Sequence, residues 1–418
     1  AGYANAPSST AIDLGTGRTT VAVSAGYHHT CAILDNGELK CWGLDNNGQL
    51  GDGGSNANLN APSSTAIDLG TGRTAVAVSA GYQFTCAILD NGELKCWGDD
   101  NNGQLGDGGT NTDTNAPLST AIDLGTGRTA VAVSAGYYHT CAILDNGELK
   151  CWGWDQYGQL GNGPGSSSII TAPSSTAIDL GTGRTAVAVS AGERHTCAIL
   201  DNGDLKCWGR DNHGQLGNGG TITADQTSPP STAIDLGTGR TAVAVSAGQY
   251  HTCAILDNGD MKCWGLDNYG QLGNGVSNTE IHAPSTTAID LGTGRTAVAV
   301  SAGIGHTCAI LDNDDMKCWG RDNNGQLGDG GTNTDKASPV AVSGSNTWDS
   351  STGASSGSGS GSGSTTNVTG ATCTVSPALP TGLNIDSSTC TISGTPSVAT
   401  SNTTYTVTAN ISGTTYQG

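Results

Sequence analysis

Fourteen cysteines, eight histidines and thirty-six carboxylates are the residues of this 418-residue chain that could do chemistry. Cysteines fall in pairs ten residues apart: Cys31 and Cys41, Cys86 and Cys96, Cys141 and Cys151, Cys197 and Cys207, Cys253 and Cys263, Cys308 and Cys318. Regular thiol pairs serve zinc or form disulfides. No C-x-x-C occurs, and pairs on separate repeats would not converge on one ion, so disulfides are expected. Each pair flanks a turn such as Asp35-Asn36-Gly37. A three-residue loop with a left-handed third position puts Leu34 opposite Glu38, Ile33 opposite Leu39 and Cys31 opposite Cys41. Directly opposed residues bring their Cα atoms to roughly 4.5–5.5 Å, which a disulfide spans. The last copy carries Asp314 in place of the Gly, and Asp tolerates the left-handed region better than most residues.

Five histidines recur at one position, His29, His139, His195, His251 and His306, and could suggest a ring of metal ligands. Phe84 stands there in the second copy, so packed, hydrogen-bonded imidazoles are expected instead. Loops running from Asp45-Asn46-Asn47-Gly48 to Asp52 offer oxygen ligands for Ca²⁺, yet no copy has the full pattern of a dedicated calcium loop. No metal and no cofactor is therefore expected, with calcium the one cation these loops could take. GTGRT lacks the Gly-Lys-Ser/Thr of a phosphate-binding loop and links two strands, so it reads as a turn. There is no nucleophile elbow, no H-E-x-x-H and no isolated carboxylate pair, and near-identical copies favour a scaffold over an enzyme.

The elements that position these residues are strands. On either side of the Asp-Asn-Gly turn lie two apolar runs, and each copy adds TAIDL and TAVAVSAG joined by GTGR. The second alternates Val with Ala or Ser, as strands crowded around an axis require. Four strands per copy of roughly 55 residues make a propeller blade. The expected fold is all-β: a six-bladed β-propeller of four-stranded blades, residues 1–348, a Ser/Gly-rich linker, 349–366, and a small C-terminal immunoglobulin-like β-sandwich, 367–418.

The segment SAGYHHTCAILDNGELKCWGLDNNGQLG, with its Gly-x-x-His-Thr, Trp-Gly and Gly-Gln-Leu-Gly elements, resembles the repeat of the regulator of chromosome condensation family, over roughly residues 7–344. The namesake of that family is a seven-bladed nuclear exchange factor for a small GTPase, bound to chromatin; this chain departs from it in blade count, acidity and disulfides. The resemblance implies architecture, because one fold hosts unrelated functions. Secreted bacterial propellers of this kind include a β-lactamase inhibitor, which makes a binding role compatible with the scaffold. The tail, with LPTGL and TISGTP, resembles the immunoglobulin-like modules of prokaryotic surface proteins; Cys390 replaces their usual Gly and is expected to pair with Cys373. The tail is short for a complete sandwich.

A formal charge of -20 argues against nucleic acid and anionic membranes as partners. No apolar run approaches a membrane span. The chain opens on Ala1 and reads as a mature secreted protein, extracellular or on the cell surface. The sequons at Asn367, Asn402 and Asn410 are glycosylation candidates.

Differences between copies concentrate on one face, formed by the first-to-second and third-to-fourth connections of each meander. That face carries Tyr27, Tyr82, Tyr137, Tyr138, Trp154, Tyr157, Arg194, Arg210, Tyr250, Tyr269 and Arg321. Tyr, Trp and Arg dominate binding hot spots, and Tyr and Trp stack on sugar rings. The opposite face is nearly invariant, with the GTGR arginines Arg18, Arg73, Arg128, Arg184, Arg240 and Arg295. Six copies leave one Pro-led strand in surplus, since Pro7–Leu14 and Ser338–Val342 bracket the repeats. It lies along its own propeller, or it leaves to pair with another subunit. The expected function is a non-enzymatic structural or adhesive protein, self-assembling into a fibre by strand exchange, with glycans or surface proteins as further partners. The alternatives are a monomeric propeller binding carbohydrate or protein through the Tyr-rich face, and a hydrolase or lyase acting in the axial tunnel.

Overall fold

The computed structural model describes residues 4–54, 56–109, 111–163, 168–220 and 225–344, and beyond them the backbone of short strands between 355 and 417. Six antiparallel meanders follow one another as the blades of a propeller. Thr20–Ala25, His29–Leu34 and Leu39–Gly43 form blade 1; Ala75–Ala80, Phe84–Leu89 and Leu94–Gly98 form blade 2; Ala130–Ala135, His139–Leu144 and Leu149–Trp154 form blade 3. Ala186–Ala191, His195–Leu200 and Leu205–Gly209 form blade 4; Ala242–Ala247, His251–Leu256 and Met261–Leu266 form blade 5; Ala297–Ala302, His306–Leu311 and Met316–Gly320 form blade 6.

The hairpin register is the one that the turn chemistry requires. Ile33 pairs with Leu39 and Cys31 with Cys41, and Gly37 sits at φ 78°, matched in the last copy by Asp314 at φ 65°. Each blade carries its disulfide, with Cα atoms 4.0–4.1 Å apart. That is closer than the expected spacing because Leu34 N bonds Glu38 O at 2.9 Å; counting back in alternation, the Cys pair falls at a narrow, non-hydrogen-bonded position.

The outer strand differs from the simple four-strand expectation. TAIDL does not join the blade that follows it: Ile67 N donates to Leu39 O at 2.9 Å, so it edges the blade before, and GTGR links neighbouring blades. Prolines in this segment remove ladder donors. Pairing of the outer strand therefore shrinks to single bridges, such as Gly43 with Leu59, or to two-residue strands, Ile169–Ile170 in blade 3 and Glu280–Ile281 in blade 5. Blade 6 takes Lys336–Ala341 as its fourth strand. The inner strand also departs from strict alternation. A bulge between Ala75 and Ala77 turns Val76 outward, 59% exposed, while Val78 stays buried.

Five consecutive junctions are built alike. Ile33, Leu39, Leu50 and Ile67 of blade 1 close around Val78, Leu89 and Trp97 of blade 2, and the same core recurs along the chain. The indoles of Trp97, Trp152, Trp208, Trp264 and Trp319 are fully buried, each donating Nε1–H to a Gln carbonyl of the preceding blade at 2.9–3.1 Å. Gly51, at φ 71°, has no room for a Cβ, which would meet Trp97 Nε1 at 2.3 Å. On the invariant face each GTGR arginine reaches the turn aspartate of its own blade, as Arg73 does Asp90 at 3.3 Å. Those half-exposed pairs each contribute little to stability.

A second compact unit comprises Gly363–Gly418 and is separate from Ala1–Ser362. It holds a three-stranded antiparallel sheet in the order Ala371–Ser376, Thr406–Ile411, Thr414–Gln417, and a hairpin of Leu383–Ile385 with Ile392–Gly394. Cys373 and Asn410 lie in these strands, of which the backbone alone is described; Cys390, Asn367 and Asn402 lie outside the described residues. Within the Ser/Gly-rich linker, Ser355–Gly357 pairs in parallel with Ala22–Ser24 of blade 1.

Candidate interaction surfaces

The variable face is organised by the loops after each inner strand. Tyr27 N donates to Gly81 O, Tyr82 N to Gly136 O, Tyr137 N to Gly192 O, Glu193 N to Gly248 O and Gln249 N to Gly303 O, at 3.2–3.3 Å. These bonds tie each loop to the next and set the residues after the Gly side by side. Three of them are tyrosines in sequence, and their rings join. Tyr82 stacks on Tyr137 with centroids 3.8 Å apart, Tyr27 meets Tyr82 edge-on at 4.7 Å, and Tyr138, Trp154 and Tyr157 extend the row at 5.3 and 5.5 Å. Arg194 lies over Trp154 and Tyr157 at 5.6 and 5.3 Å, and Arg210 over Tyr157 at 4.6 Å. Such stacked cations lend the row charge as well as apolar area.

Eight of the eleven residues singled out from sequence thus form one arc over blades 1 to 4. Tyr250 joins it indirectly, donating its phenol to Glu193 Oε1 at 3.2 Å, and Glu193 in turn pairs with Arg194 at 2.8 Å. Tyr269 and Arg321 make a separate stacked pair at 5.0 Å. Burial raises the phenol pKa of Tyr137, Tyr138 and Tyr250, with neighbouring phenols and Glu193 adding to it. The phenols therefore stay protonated and serve as donors. Sequence reading missed His28, Glu193, and His213 with its 2.7 Å bond to Glu280, because aromatics and arginines alone were sought at the variable positions.

Four of the five recurring histidines are spoken for. His139 Nε2 lies 2.8 Å from Thr196 Oγ1, and that hydroxyl donates to Gln159 O at 2.8 Å. With the hydroxyl hydrogen committed, Nε2 must carry the imidazole proton, and Nδ1 is left a bare lone pair without a partner among the described residues. Burial accordingly lowers the His139 pKa to about 3. His29, His195 and His251 repeat the arrangement.

Between blade 6 and blade 1 these contacts stop. Among the described residues, Trp42 and Thr30 make none of the bonds of their counterparts, and both are half-buried where the counterparts are fully buried. Gly328, the equivalent of Gly51, faces Pro7 and Val342 in place of an indole. The N-terminal segment lies here. Gly330 N donates to Asn5 O at 2.7 Å, Asn5 Nδ2 to Gly331 O at 2.6 Å, and Lys40 Nζ to Leu14 O at 3.0 Å. In the regular junctions Gly53 N bonds Asn115 O, and Lys95 Nζ bonds Leu69 O, and both acceptors belong to outer strands. Residues 5–14 therefore stand where the outer strand of a seventh blade would stand, without its three inner strands. Ile12 is 58% exposed, whereas Ile67, Ile122 and Ile234 in the same role are at most 9% exposed. Ser355–Gly357 runs beside the inner strands of both blade 1 and blade 6.

Comparison with known proteins agrees with this geometry. The RCC1-like domain model matches residues 4–361, and a second family, described as "Putative Ig domain", matches residues 332–417. The ultraviolet-B receptor UVR8 of Arabidopsis thaliana is 31% identical over 78% of this chain and 70% of its own length. The human E3 ubiquitin-protein ligase HERC2 is 26% identical over 78% of this chain, which spans 6% of that ligase. Among solved structures, human WBSCR16 superposes with a TM-score of 0.68 at 21% identity, covering 79% of this chain and 84% of that one. Yeast RCC1 (Prp20), solved bound to Kap60, gives 0.66 at 20% identity, covering 78% and 75%. Six repeats with this register, these buried indoles and this match over most of their length have one meaning: the chain belongs to the RCC1-like domain family.

Proposed function

We propose that this chain is a non-enzymatic, extracellular protein-binding scaffold that associates with further copies of itself through the junction between blades 6 and 1. The observation that carries this reading is the seventh-blade position, which holds an outer strand and the short run Ser355–Gly357 in place of a full blade. Three hydrogen bonds hold residues 5–14 there, and the same three could be made to a neighbouring copy without any new contact. Such an exchange runs head to tail, does not close on itself, and builds filaments. A disulfide in every blade fits an oxidising compartment, and no helix among the described residues is long and apolar enough to cross a membrane.

Electron microscopy beside light scattering tests the reading on the intact protein. Filaments with a subunit-sized repeat are expected, together with their loss on deletion of residues 1–14. Single propellers at every concentration would overturn it.

The aromatic arc favours a second reading, a propeller that binds a carbohydrate or a protein on its variable face. Alanine at Trp154 and Tyr157 should then abolish ligand retention while leaving filament formation unchanged.

A further inference from the structure

The loop after the third strand buries one aspartate in every blade, and the six copies satisfy it in two different ways. Asp45, Asp100, Asp155, Asp211, Asp267 and Asp322 are at most 2% exposed, and one carboxylate oxygen of each accepts the N–H of the Leu five residues on, at 2.9–3.1 Å. The other oxygen is where they part. In blade 4 it accepts Asn218 Nδ2 at 3.0 Å. Asn162 in blade 3 bonds the same carboxylate, and in blade 5 Asn274 and Thr279 do so.

Blades 1, 2 and 6 carry Asp52, Asp107 and Asp329 at the position of those asparagines. A carboxylate cannot donate. In those three blades Oδ2 of Asp45, Asp100 and Asp322 is buried with no partner among the described residues, a costly state for a charged oxygen. Blade 6 supplies a positive charge of its own, Lys336 Nζ at 3.6 Å from Asp329 Oδ2. Among the described residues, blades 1 and 2 supply none.

We propose that blades 1 and 2 each bind a divalent cation of the calcium class, held between Asp45 and Asp52 in the first and between Asp100 and Asp107 in the second. Hard oxygen donors on an irregular loop suit Ca²⁺. The side chain thirteen residues after the buried Asp, Asn58 or Asp113, already accepts its backbone N–H at 2.9 or 3.0 Å and stands ready as a further oxygen. No three ligating acidic, histidine or cysteine side chains are gathered among the described residues, so water completes the shell and affinity is modest. Burial, and then the charge of Asp107, lift the Asp100 pKa to about 7, which makes a proton the competitor for the site.

Calorimetric titration of the chelator-treated full chain with CaCl₂ at pH 7.5 tests the proposal. Two sites are expected, with a Kd of roughly 0.1–1 mM, the range of extracellular calcium modules. Asp52→Asn and Asp107→Asn, which install the residue that blades 3 to 5 already use, should each remove one site and leave the calcium-free melting temperature unchanged or higher. Asn218→Asp should add a site in blade 4. Absence of calcium uptake by the parent chain, or uptake undiminished in the doubly substituted one, overturns the proposal; the second result would place the ions elsewhere and leave a proton on the orphaned oxygens.

Discussion

At the residue scale the buried histidines make stability depend on acid. Above pH 6.5 neither the folded nor the unfolded chain protonates them. Below it the unfolded chain does, whereas His139 and His251 resist until about pH 3, so stability falls across that interval. Asp155 and Asp267, raised to about 6 by burial, act in the opposite sense. They bind protons in the folded chain between about pH 6 and 3.8 and so offset part of the loss. Phe84 shows that the niche accepts a hydrocarbon ring, with Gly81 against its edge. His139→Phe with His251→Phe should therefore melt at a lower pH than the parent, the gap growing by up to about 1.4 kcal/mol per His per pH unit, as read from thermal unfolding between pH 7 and 4. The hydroxyls give a second test. Thr196→Val strips both His139 and Gln159 of a buried partner and should cost about 1–3 kcal/mol. Thr30→Val, at the junction of blades 6 and 1 where that chain of bonds is absent among the described residues, should cost under about 0.5 kcal/mol, and chemical denaturation of the two variants would reveal the difference.

At the element scale the hairpin was the most legible part of the sequence. Its register follows from a local constraint, the left-handed third turn residue, and everything from Leu34 to Cys41 is then placed. The outer strand was less legible because TAIDL is adjacent in sequence to one blade and bonded to another. Sequence order alone does not tell which edge a Pro-interrupted segment will take. Nor did alternation of Val and Ala betray the bulge at Val76, since a bulge adds a residue without changing composition. Each bridge closes a loop of about ten residues and contributes roughly 2–3 kcal/mol through the unfolded chain. Full reduction should consequently lower the melting temperature sharply, and calorimetry with and without reductant would measure it. An unchanged melting temperature would mean that packing alone sustains the blades.

At the scale of the whole molecule the copies become unequal although their sequences are nearly the same. Position along the chain decides how many neighbours a blade has. Ile310 and Met316 of blade 6 are half-buried where their equivalents in blade 3, Ile143 and Leu149, are buried. Repeats stabilised by their neighbours are weakest at the ends. Amide hydrogen exchange in blade 6 should therefore outpace that in blade 3, by mass spectrometry of peptides from the two. Most of the aromatic arc could be listed from sequence, because differences among near-identical copies stand out. That its rings touch could not, since their contact depends on the carbonyl bonds that step from Gly81 to Gly303. The open junction was foreshadowed by one strand too many; its location required knowing which blade each outer strand serves.

The placement of the disulfides inside single hairpins has a bearing on biosynthesis. Twelve thiols in near-identical surroundings could couple in far more ways than the 105 or so open to eight, and a scaffold stapled across its blades would need an isomerase to sort them. Here the two sulfurs of each pair meet as soon as one three-residue turn forms. A hairpin is complete about a dozen residues after it begins, long before the next copy has been made. Oxidation can thus keep pace with synthesis of the chain, blade by blade, and a wrongly joined pair would have to reach past a nearer and better placed partner.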